Sequence, residues 1–277
     1  MTEELKKLIR NSGNNLHMDV VDSLEKSYWN VDMSSYYYDD TTGKPREMDI
    51  IASKDWRILP TDGQSSIIDF VRVYLFIECK YFTKEIAFRL HQNDKEKSRA
   101  AILTSGIRTW YEALDKSGLR NDHHFVAESS LGKLFDSENG TDVFNAITQP
   151  VKALIFFKDR KDKAFKDSGH RDGVIEKAIY YPLVVYSGIQ GIYALKRNDI
   201  ANLDKLKFQD NLTAAFNYSY RSVVDGQLKT QYFCIDLIKR DRFEEMLEKK
   251  IIPETESLAR HFGRGNMLVF GKSAEYD

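Results

Sequence analysis

Proline, cysteine and an excess of one charge are all scarce in this sequence. The 277 residues include only 5 prolines and 2 cysteines, and 41 lysines and arginines are balanced by 42 aspartates and glutamates. Without a Pro-rich or Ser/Gly-rich tract, the chain offers no evident linker between domains. Two cysteines cannot form a disulfide framework, which fits a reducing compartment. The balanced charge removes the simplest argument for nucleic-acid binding, a strongly basic chain, although lysines can still be concentrated on one face.

Long apolar runs are also missing. The first residues, MTEELKKLIRNSG, contain neither the apolar stretch nor the small-residue cleavage site of a secretory signal. No segment reaches the roughly 20 apolar residues that a membrane-spanning helix requires. We therefore expect a cytoplasmic protein that makes no contact with membranes. Since 42% of the residues are hydrophobic, the chain can form one large core, and we predict a single domain over residues 1–277.

Helical and strand patterns alternate along the chain. Leu16, Val20 and Leu24 recur every fourth residue and predict an amphipathic helix at about 16–29. β-Branched and aromatic residues predict strands at about 46–52 and 67–80. Further helices are predicted at about 100–114, 143–157, 240–250 and 253–262, and further strands at about 178–186, 191–195 and 231–238. This alternation predicts an α/β fold with a mixed central sheet flanked by helices.

Charged side chains lie near the ends of the first two predicted strands. Alternate residues of a strand share a face, so Glu78 and Lys80 project together. Glu47 and Asp49 likewise share a face on the preceding strand. The two strands are expected to pair as neighbours, which brings acidic and basic groups together at one edge of an apolar sheet.

The opposite faces of these strands are apolar. Met48 and Ile50 alternate with the acidic residues of the first strand, and Ile77 and Cys79 alternate with the charged residues of the second. We therefore expect Met48 and Ile50 to share one face of the sheet. Ile77 and Cys79 are expected to pack against a helix.

Acidic groups at the end of an apolar strand are costly to bury unless they pair or bind an ion. Two carboxylates and a backbone carbonyl provide the hard oxygen ligands that suit Mg²⁺. A nearby ammonium group can orient an attacking water, while the metal lowers the pKa of that water and neutralises a phosphate. Asp49, Glu78 and Lys80 therefore form a combination suited to the hydrolysis of a phosphodiester.

This combination resembles the motif of the PD-(D/E)XK nuclease superfamily, which includes restriction endonucleases and many defence and repair nucleases. Asp49 corresponds to the metal-binding aspartate of one strand, and Glu78-Cys79-Lys80 ends the next. The resemblance implies that Asp49 and Glu78 hold Mg²⁺, with Mn²⁺ as a substitute, and that the main-chain carbonyl of Cys79 is a further metal ligand. It also implies that Lys80 positions the nucleophile. The implied activity is cleavage of DNA by an endonuclease that acts in restriction, another form of defence, or repair.

The resemblance also carries an expectation about the fold. The strand Tyr181–Val185 is similar to the core strand that follows the second helix of the family. A restriction-endonuclease-like catalytic core is thus expected at about 16–186, with additional C-terminal strands and helices at about 187–277. Three roles are open for this extension: completing the sheet, making a homodimer contact and selecting the substrate. A protein partner from a defence system is a further open possibility.

Two features depart from the common pattern of the family. The interval between Asp49 and Glu78 is long, which predicts an extra loop or strand at about 55–68. Many relatives also carry an acidic residue on the inner side of the first helix, whereas here the inward position is occupied by His17. Glu25 lies at the edge of the apolar stripe, so a fourth carboxylate, and with it the use of one metal or two, stays open.

Polar residues of the second helix are further candidates. Gln149 and Lys152 both lie on the predicted helix at about 143–157, where some relatives place polar side chains facing the site.

His123 and His124 are adjacent, and no cysteine or carboxylate lies nearby at a zinc-binding spacing. We therefore predict a surface loop there.

Other functions compete with DNA cleavage. The chain can keep the nuclease fold without catalysis and act as a module that binds nucleic acid or a partner protein. It can also be a nuclease directed at RNA. In the simplest alternative, Glu78 and Lys80 are solvent-facing charges that finish a strand and form a weak ion pair.

Overall fold

The strands that carry Asp49 and Glu78 are neighbours in a mixed β-sheet with helices on both faces. The computed structural model describes residues 13–59, 69–91, 95–102, 106–108, 123–128, 130–134, 140–167, 177–196, 206–262 and 267–270, together with Thr2, Glu4 and Leu203. No helix among these residues is both long enough and apolar enough to cross a bilayer.

The elements follow one another in this order. The first are α1 (Gly13–Lys26), β1 (Asn30–Asp39), β2 (Lys44–Leu59), β3 (Asp69–Tyr81) and β4 (Ile86–Leu90). Next come α2 (Lys95–Ala101), β5 (Ile107–Arg108), α3 (His124–Glu128), β6 (Ser130–Leu134), α4 (Gly140–Asp167) and β7 (Lys177–Ser187). Four strands follow, β8 (Ile192–Leu195), β9 (Phe208–Gln209), β10 (Asn211–Arg221) and β11 (Leu228–Lys239).

The C-terminal part is mainly helical. A 3₁₀ turn (Arg240–Arg242), α5 (Phe243–Met246) and a π-helical turn (Leu247–Ile251) lead directly into α6 (Ile252–Phe262). The last described element is β12 (Met267–Phe270), which pairs with β2. The two predicted helices at about 240–250 and 253–262 therefore form one continuous helical segment.

The described strands form a single sheet with the main order β1-β2-β3-β7-β11-β10-β6-β4-β8-β9. β2 is antiparallel to both β1 and β3, β7 is parallel to β3, and β11 is parallel to β7. The prediction of an α/β fold with a mixed sheet and flanking helices is confirmed. The C-terminal strands β10 and β11 belong to the same sheet as β3 and β7.

The two faces of the sheet have separate cores. The core on one face, called the α1-side core, combines residues of α1, α6 and the central strands, among them Val20, Leu24, Leu258, Ile50 and Ile77. Each of these five side chains is fully buried. The stripe of apolar residues that predicted the first helix is the face that packs on the sheet, which explains why this segment is helical.

The core on the other face, called the α4-side core, lies under the long helix α4. It contains Val151 and Leu154 from α4, together with Phe76 and Tyr180 from β3 and β7. Pro150 does not end this helix, which continues from Gly140 to Asp167. Proline removes one hydrogen bond from a helix, but the buried residues on either side of Pro150 hold α4 against the sheet.

Several predicted boundaries and elements are wrong. The tyrosine-rich stretch after α1 forms β1, and β10 was not predicted at all. Ile107 lies in a short strand paired with β7 rather than in a helix; residues 103–105 and 109–114 of that predicted helix lie outside the described residues. The extra segment predicted at about 55–68 is partly an extension of β2 to Leu59, and residues 60–68 lie outside the described residues.

The packing of α1 can be tested by two substitutions on the same helix. Leu24 is fully buried in the α1-side core, whereas Met18 is 49% exposed. We expect Leu24→Ala to lower the free energy of unfolding by about 2–5 kcal/mol, because it removes buried methyl groups and leaves a cavity. Met18→Ala should change it by less than about 0.5 kcal/mol. Urea denaturation measures both values, and equal losses would contradict the packing described for α1.

Candidate active site

Asp49 lies at an irregular point of β2. In the described pairing of β1 with β2, Ser34 and Asp49 lie opposite each other but are not paired, although the residues on both sides of them are. The pairing of β2 with β3 begins at the next residue, Ile50. Ser34 has a φ angle of +53°. For a residue other than glycine this left-handed conformation costs about 1–3 kcal/mol, and such strain is concentrated at functional sites. The irregularity releases Asp49 from the regular pairing of the sheet.

The same irregularity changes the faces of β2. Met48 packs in the α4-side core and Ile50 in the α1-side core, so these two residues do not share a face as the sequence predicted. The prediction is wrong because the alternation of side chains is interrupted at Asp49. On β3 the alternation is regular, and Ile77 and Cys79 both lie in the α1-side core as predicted.

The carboxylate of Asp49 is held by groups from two neighbouring elements. Its Oδ2 accepts a hydrogen bond of 2.8 Å from the main-chain N–H of Cys79 on β3. The same oxygen lies 3.2 Å from Nε2 of His17 on α1. This hydrogen bond, together with the charges of Asp49 and Glu47, raises the pKa of His17 against the opposing effect of burial. The helical spacing indicated that His17 faces inward, and the structure places it against Asp49.

Glu78 is the most unusual acid of the site. Its side chain is only 7% exposed, and Oε2 is buried without a hydrogen-bond partner among the described residues. Burial raises the pKa of Glu78 to about 9, and the charge and hydrogen-bonding proximity of Asp49 contribute to the increase. In the absence of a cation, the pair of carboxyl groups therefore retains a proton near neutral pH.

Lys80 and Glu47 act on this pair mainly through their charges. The ammonium of Lys80, which is partly exposed, lowers the pKa of Glu78, whereas Glu47 raises it. Glu47 is exposed and accepts a hydrogen bond of 3.3 Å from the hydroxyl of Tyr36 on β1. The structure thus brings Asp49, which lies inside β2, near Glu78 and Lys80 at the C-terminal end of β3, with Glu47 beside them.

The two polar candidates of α4 have different positions. The side chain of Gln149 donates a hydrogen bond to the main-chain oxygen of Glu47, two residues before Asp49. Lys152 instead pairs with the buried Asp39 at 3.2 Å. Gln149 therefore fastens α4 to the strand that carries Asp49, while Lys152 is engaged in a separate ion pair.

The residues present fit a divalent cation between the two strands. The unpartnered Oε2 of Glu78 and the carboxylate of Asp49 are oxygen donors suited to Mg²⁺ or Mn²⁺. Ligand atoms of His17, Asp49 and Cys79 also lie within 4.8 Å of one another. Burial raises the pKa of the Cys79 thiol well above its usual range, and a thiol that keeps its proton is a poor ligand. Any contribution of Cys79 to a metal therefore comes from its main chain.

The prediction of a surface loop at His123 and His124 is wrong. The two side chains are 0% and 7% exposed and lie against Glu254 of α6 and Asp236 of β11. Burial lowers the pKa of His123 to about 4. Burial opposes protonation of His124 as well, but Asp236 and Glu254 outweigh it and raise its pKa to about 10. The spacing argument failed because these acids are 112 and 130 positions away along the chain.

Comparison of the chain with known protein families, with curated proteins and with solved structures found no match.

The raised pKa of Glu78 predicts how stability depends on pH in the presence of a chelator. The unfolded carboxyl ionises near 4.5 and the folded one near 9, so folding takes up a proton between these values. The stabilisation is complete below the lower value and is lost as the pH rises through the window, by up to about 1.4 kcal/mol per pH unit. Glu78→Gln does not titrate, so its stability relative to the wild type should increase from about pH 6 to about pH 8. Urea denaturation at the two pH values measures this, and a difference that is independent of pH would contradict the burial of an acid at this position.

Proposed function

We propose that this protein is a metal-dependent nuclease that hydrolyses phosphodiester bonds of DNA, with Asp49 and Glu78 as metal ligands. The observation that carries this proposal is the pair of carboxyl groups where the described pairing of β2 with β3 ends, in which a buried oxygen of Glu78 lacks a partner among the described residues. A buried acid is destabilising unless it is compensated, and a divalent cation compensates both carboxylates at once.

The order of the elements supports the same proposal. α1, the antiparallel strands β2 and β3, the helix α4 and the parallel strand β7 occur in the order expected from the resemblance to PD-(D/E)XK nucleases. The motif residues lie on β2 and β3, as this resemblance requires. We infer a restriction-endonuclease-like core on this basis, extended by β10 and β11.

The residues of the chain have distinct roles in the proposed reaction. A bound Mg²⁺ supplies activation of water and neutralisation of charge on the phosphate. The N–H of Cys79 and the imidazole of His17 hold the carboxylate of Asp49 in place. As a metal ligand, Glu78 would be ionised, and its proton would be released to solvent. Lys80 lies two residues after Glu78 on β3. Its ammonium orients the attacking water and offsets negative charge on the phosphate.

An exposed aromatic residue beside the site supports a nucleic-acid substrate. Tyr36 of β1 is 70% exposed and is hydrogen-bonded to Glu47, and Tyr38, 44% exposed, lies two residues further along the same strand. Aromatic rings on such a surface can stack on unpaired bases, which adds affinity without requiring a basic protein. This placement suits a phosphate backbone that passes over Asp49 with bases turned toward β1.

Cleavage of supercoiled plasmid DNA tests the proposal. We expect nicking or cutting in Mg²⁺ that stops on addition of a chelator. Asp49→Asn, Glu78→Gln and Lys80→Ala should each lower the rate by at least about 100-fold, because each removes a metal ligand or the positioning ammonium. Glu248→Gln, which changes an exposed acid of the C-terminal helical segment, serves as the control and should cleave like the wild type. Full activity of the Glu78 and Lys80 variants, with normal folding by circular dichroism, would rule out the assignment.

Calorimetric titration separates the nuclease from an inactive module of the same fold. The proposal predicts Mg²⁺ or Mn²⁺ binding to the wild type that is lost in Asp49→Ala. A protein that binds DNA equally well with and without Asp49, and shows no metal binding dependent on Asp49, would be a binding module instead. Digestion of RNA and DNA side by side determines which nucleic acid is the substrate, and cleavage of RNA alone would contradict the proposed specificity.

A further inference from the structure

Four ionisable side chains meet inside the protein away from the proposed active site. They are His123 and His124 at the start of α3, Glu254 of α6 and Asp236 of β11, here called the buried histidine cluster. Their exposed fractions are 0%, 7%, 8% and 1%. The proposed nuclease site uses none of these residues, so the cluster requires an explanation of its own.

The spacing of the cluster suits a metal ion. Ligand atoms of His123, His124 and Glu254 all lie within 4.8 Å of one another. Oε2 of Glu254 is 2.8 Å from Nδ1 of His124, and Oε1 is 3.2 Å from Nδ1 of His123. Tetrahedral zinc with bonds of about 2.0–2.1 Å places neighbouring ligand atoms about 3.3 Å apart. Small shifts of the side chains therefore suffice to admit the ion.

Hydrogen bonding leaves part of His123 unsatisfied. Its Nε2 is buried without a partner among the described residues. Its Nδ1 lies 3.2 Å from Oε1 of Glu254 and 3.4 Å from the main-chain nitrogen of Phe125. An imidazole nitrogen and a carboxylate oxygen at this separation share either a proton or a metal ion.

The charges of the cluster also favour a divalent cation. Within the described part of the chain, neither Asp236 nor Glu254 pairs with a lysine or an arginine. Once an ion has replaced the proton of His124, two carboxylates and two neutral imidazoles carry a charge of −2, which one divalent cation balances.

Neighbouring groups are arranged as in known zinc sites. Nε2 of His124 lies 2.9 Å from Oδ2 of Asp236. The other oxygen of Asp236, Oδ1, accepts a hydrogen bond of 2.6 Å from the hydroxyl of Thr213. A carboxylate that fixes the far nitrogen of a histidine ligand is a common feature of such sites. The hydroxyl of Tyr181 donates a hydrogen bond of 2.5 Å to Oε1 of Glu254 and fixes that carboxylate.

We propose that His123, His124 and Glu254 bind a zinc ion, with a water molecule completing the tetrahedral coordination. Two imidazoles and one carboxylate favour Zn²⁺ over Mg²⁺, which prefers oxygen ligands alone. On binding, Zn²⁺ displaces the proton shared between Nδ1 of His124 and Glu254, and this proton is released to solvent. The ion links α6 to the start of α3 and, through Asp236, to β11. It therefore fastens the C-terminal helix to the sheet on the α1 side.

Metal analysis of the full-length protein, purified without chelator from zinc-containing medium, tests this proposal. We expect about one zinc per chain after gel filtration. Glu254→Gln retains the size of the side chain and an oxygen acceptor, and it should lower the zinc content at least about 10-fold. Glu256→Gln, on the same helix and partly exposed, is the matched control and should keep the zinc.

The design distinguishes this site from the proposed nuclease site. Asp49→Asn should keep its zinc even though it loses DNA cleavage, and Glu254→Gln should still bind Mn²⁺ in a manner that depends on Asp49. For wild-type protein loaded with Co²⁺, we expect the visible absorption of a tetrahedral site, which does not depend on any variant folding. Wild-type protein that contains no zinc and gains no thermal stability from added Zn²⁺ would overturn the proposal. Zinc that is lost in Asp49→Asn but kept in Glu254→Gln would overturn it too.

Discussion

Burial of the Glu78 carboxyl beside a second carboxyl is the constraint on which the candidate active site depends. An isolated ionised acid in this position is strongly destabilising, and the structure shows the effect as a pKa of Glu78 near 9. The pair can retain a proton or be balanced by positive charge. The imidazole of His17, 3.2 Å from the Asp49 carboxylate, and the ammonium of Lys80 supply part of that charge. Under the proposed function, a divalent cation supplies the rest.

The sheet holds Glu78 by regular strand pairing, and an interruption of the pairing at Asp49 positions the second carboxylate. Ile77 and Cys79 are fixed in the α1-side core, so the backbone around Glu78 has little freedom. Asp49 lies where the regular ladders are interrupted, opposite the strained Ser34. This position allows its carboxylate to contact α1 and β3 at the same time. Regular pairing of β3 fixes the position of Glu78, and the interrupted pairing of β2 lets Asp49 approach it.

The fold and the candidate site could be predicted from the sequence wherever the signal was local. Alternation along β3 indicated the common side of Glu78 and Lys80, and the spacing of apolar residues in α1 indicated the inward position of His17. The strand β1 was missed because its exposed tyrosines and serines at one end of the sheet order lack an apolar pattern. His123 and His124 were misread because their acidic partners come from distant parts of the chain. The interruption at Asp49 has no signature in the sequence, since it depends on the conformation of the strand opposite.

The most direct test of the central claim is a crystal structure of the wild-type protein soaked in Mn²⁺, with anomalous scattering used to locate the ion. The account predicts an anomalous peak where the described pairing of β2 with β3 ends, within about 2.0–2.4 Å of an oxygen of Asp49 and of Oε2 of Glu78. It also predicts that Lys80 lies on the side of the ion from which a phosphate approaches. A structure in which Mn²⁺ avoids both acids, while their carboxyl groups stay in contact with each other, would contradict the account.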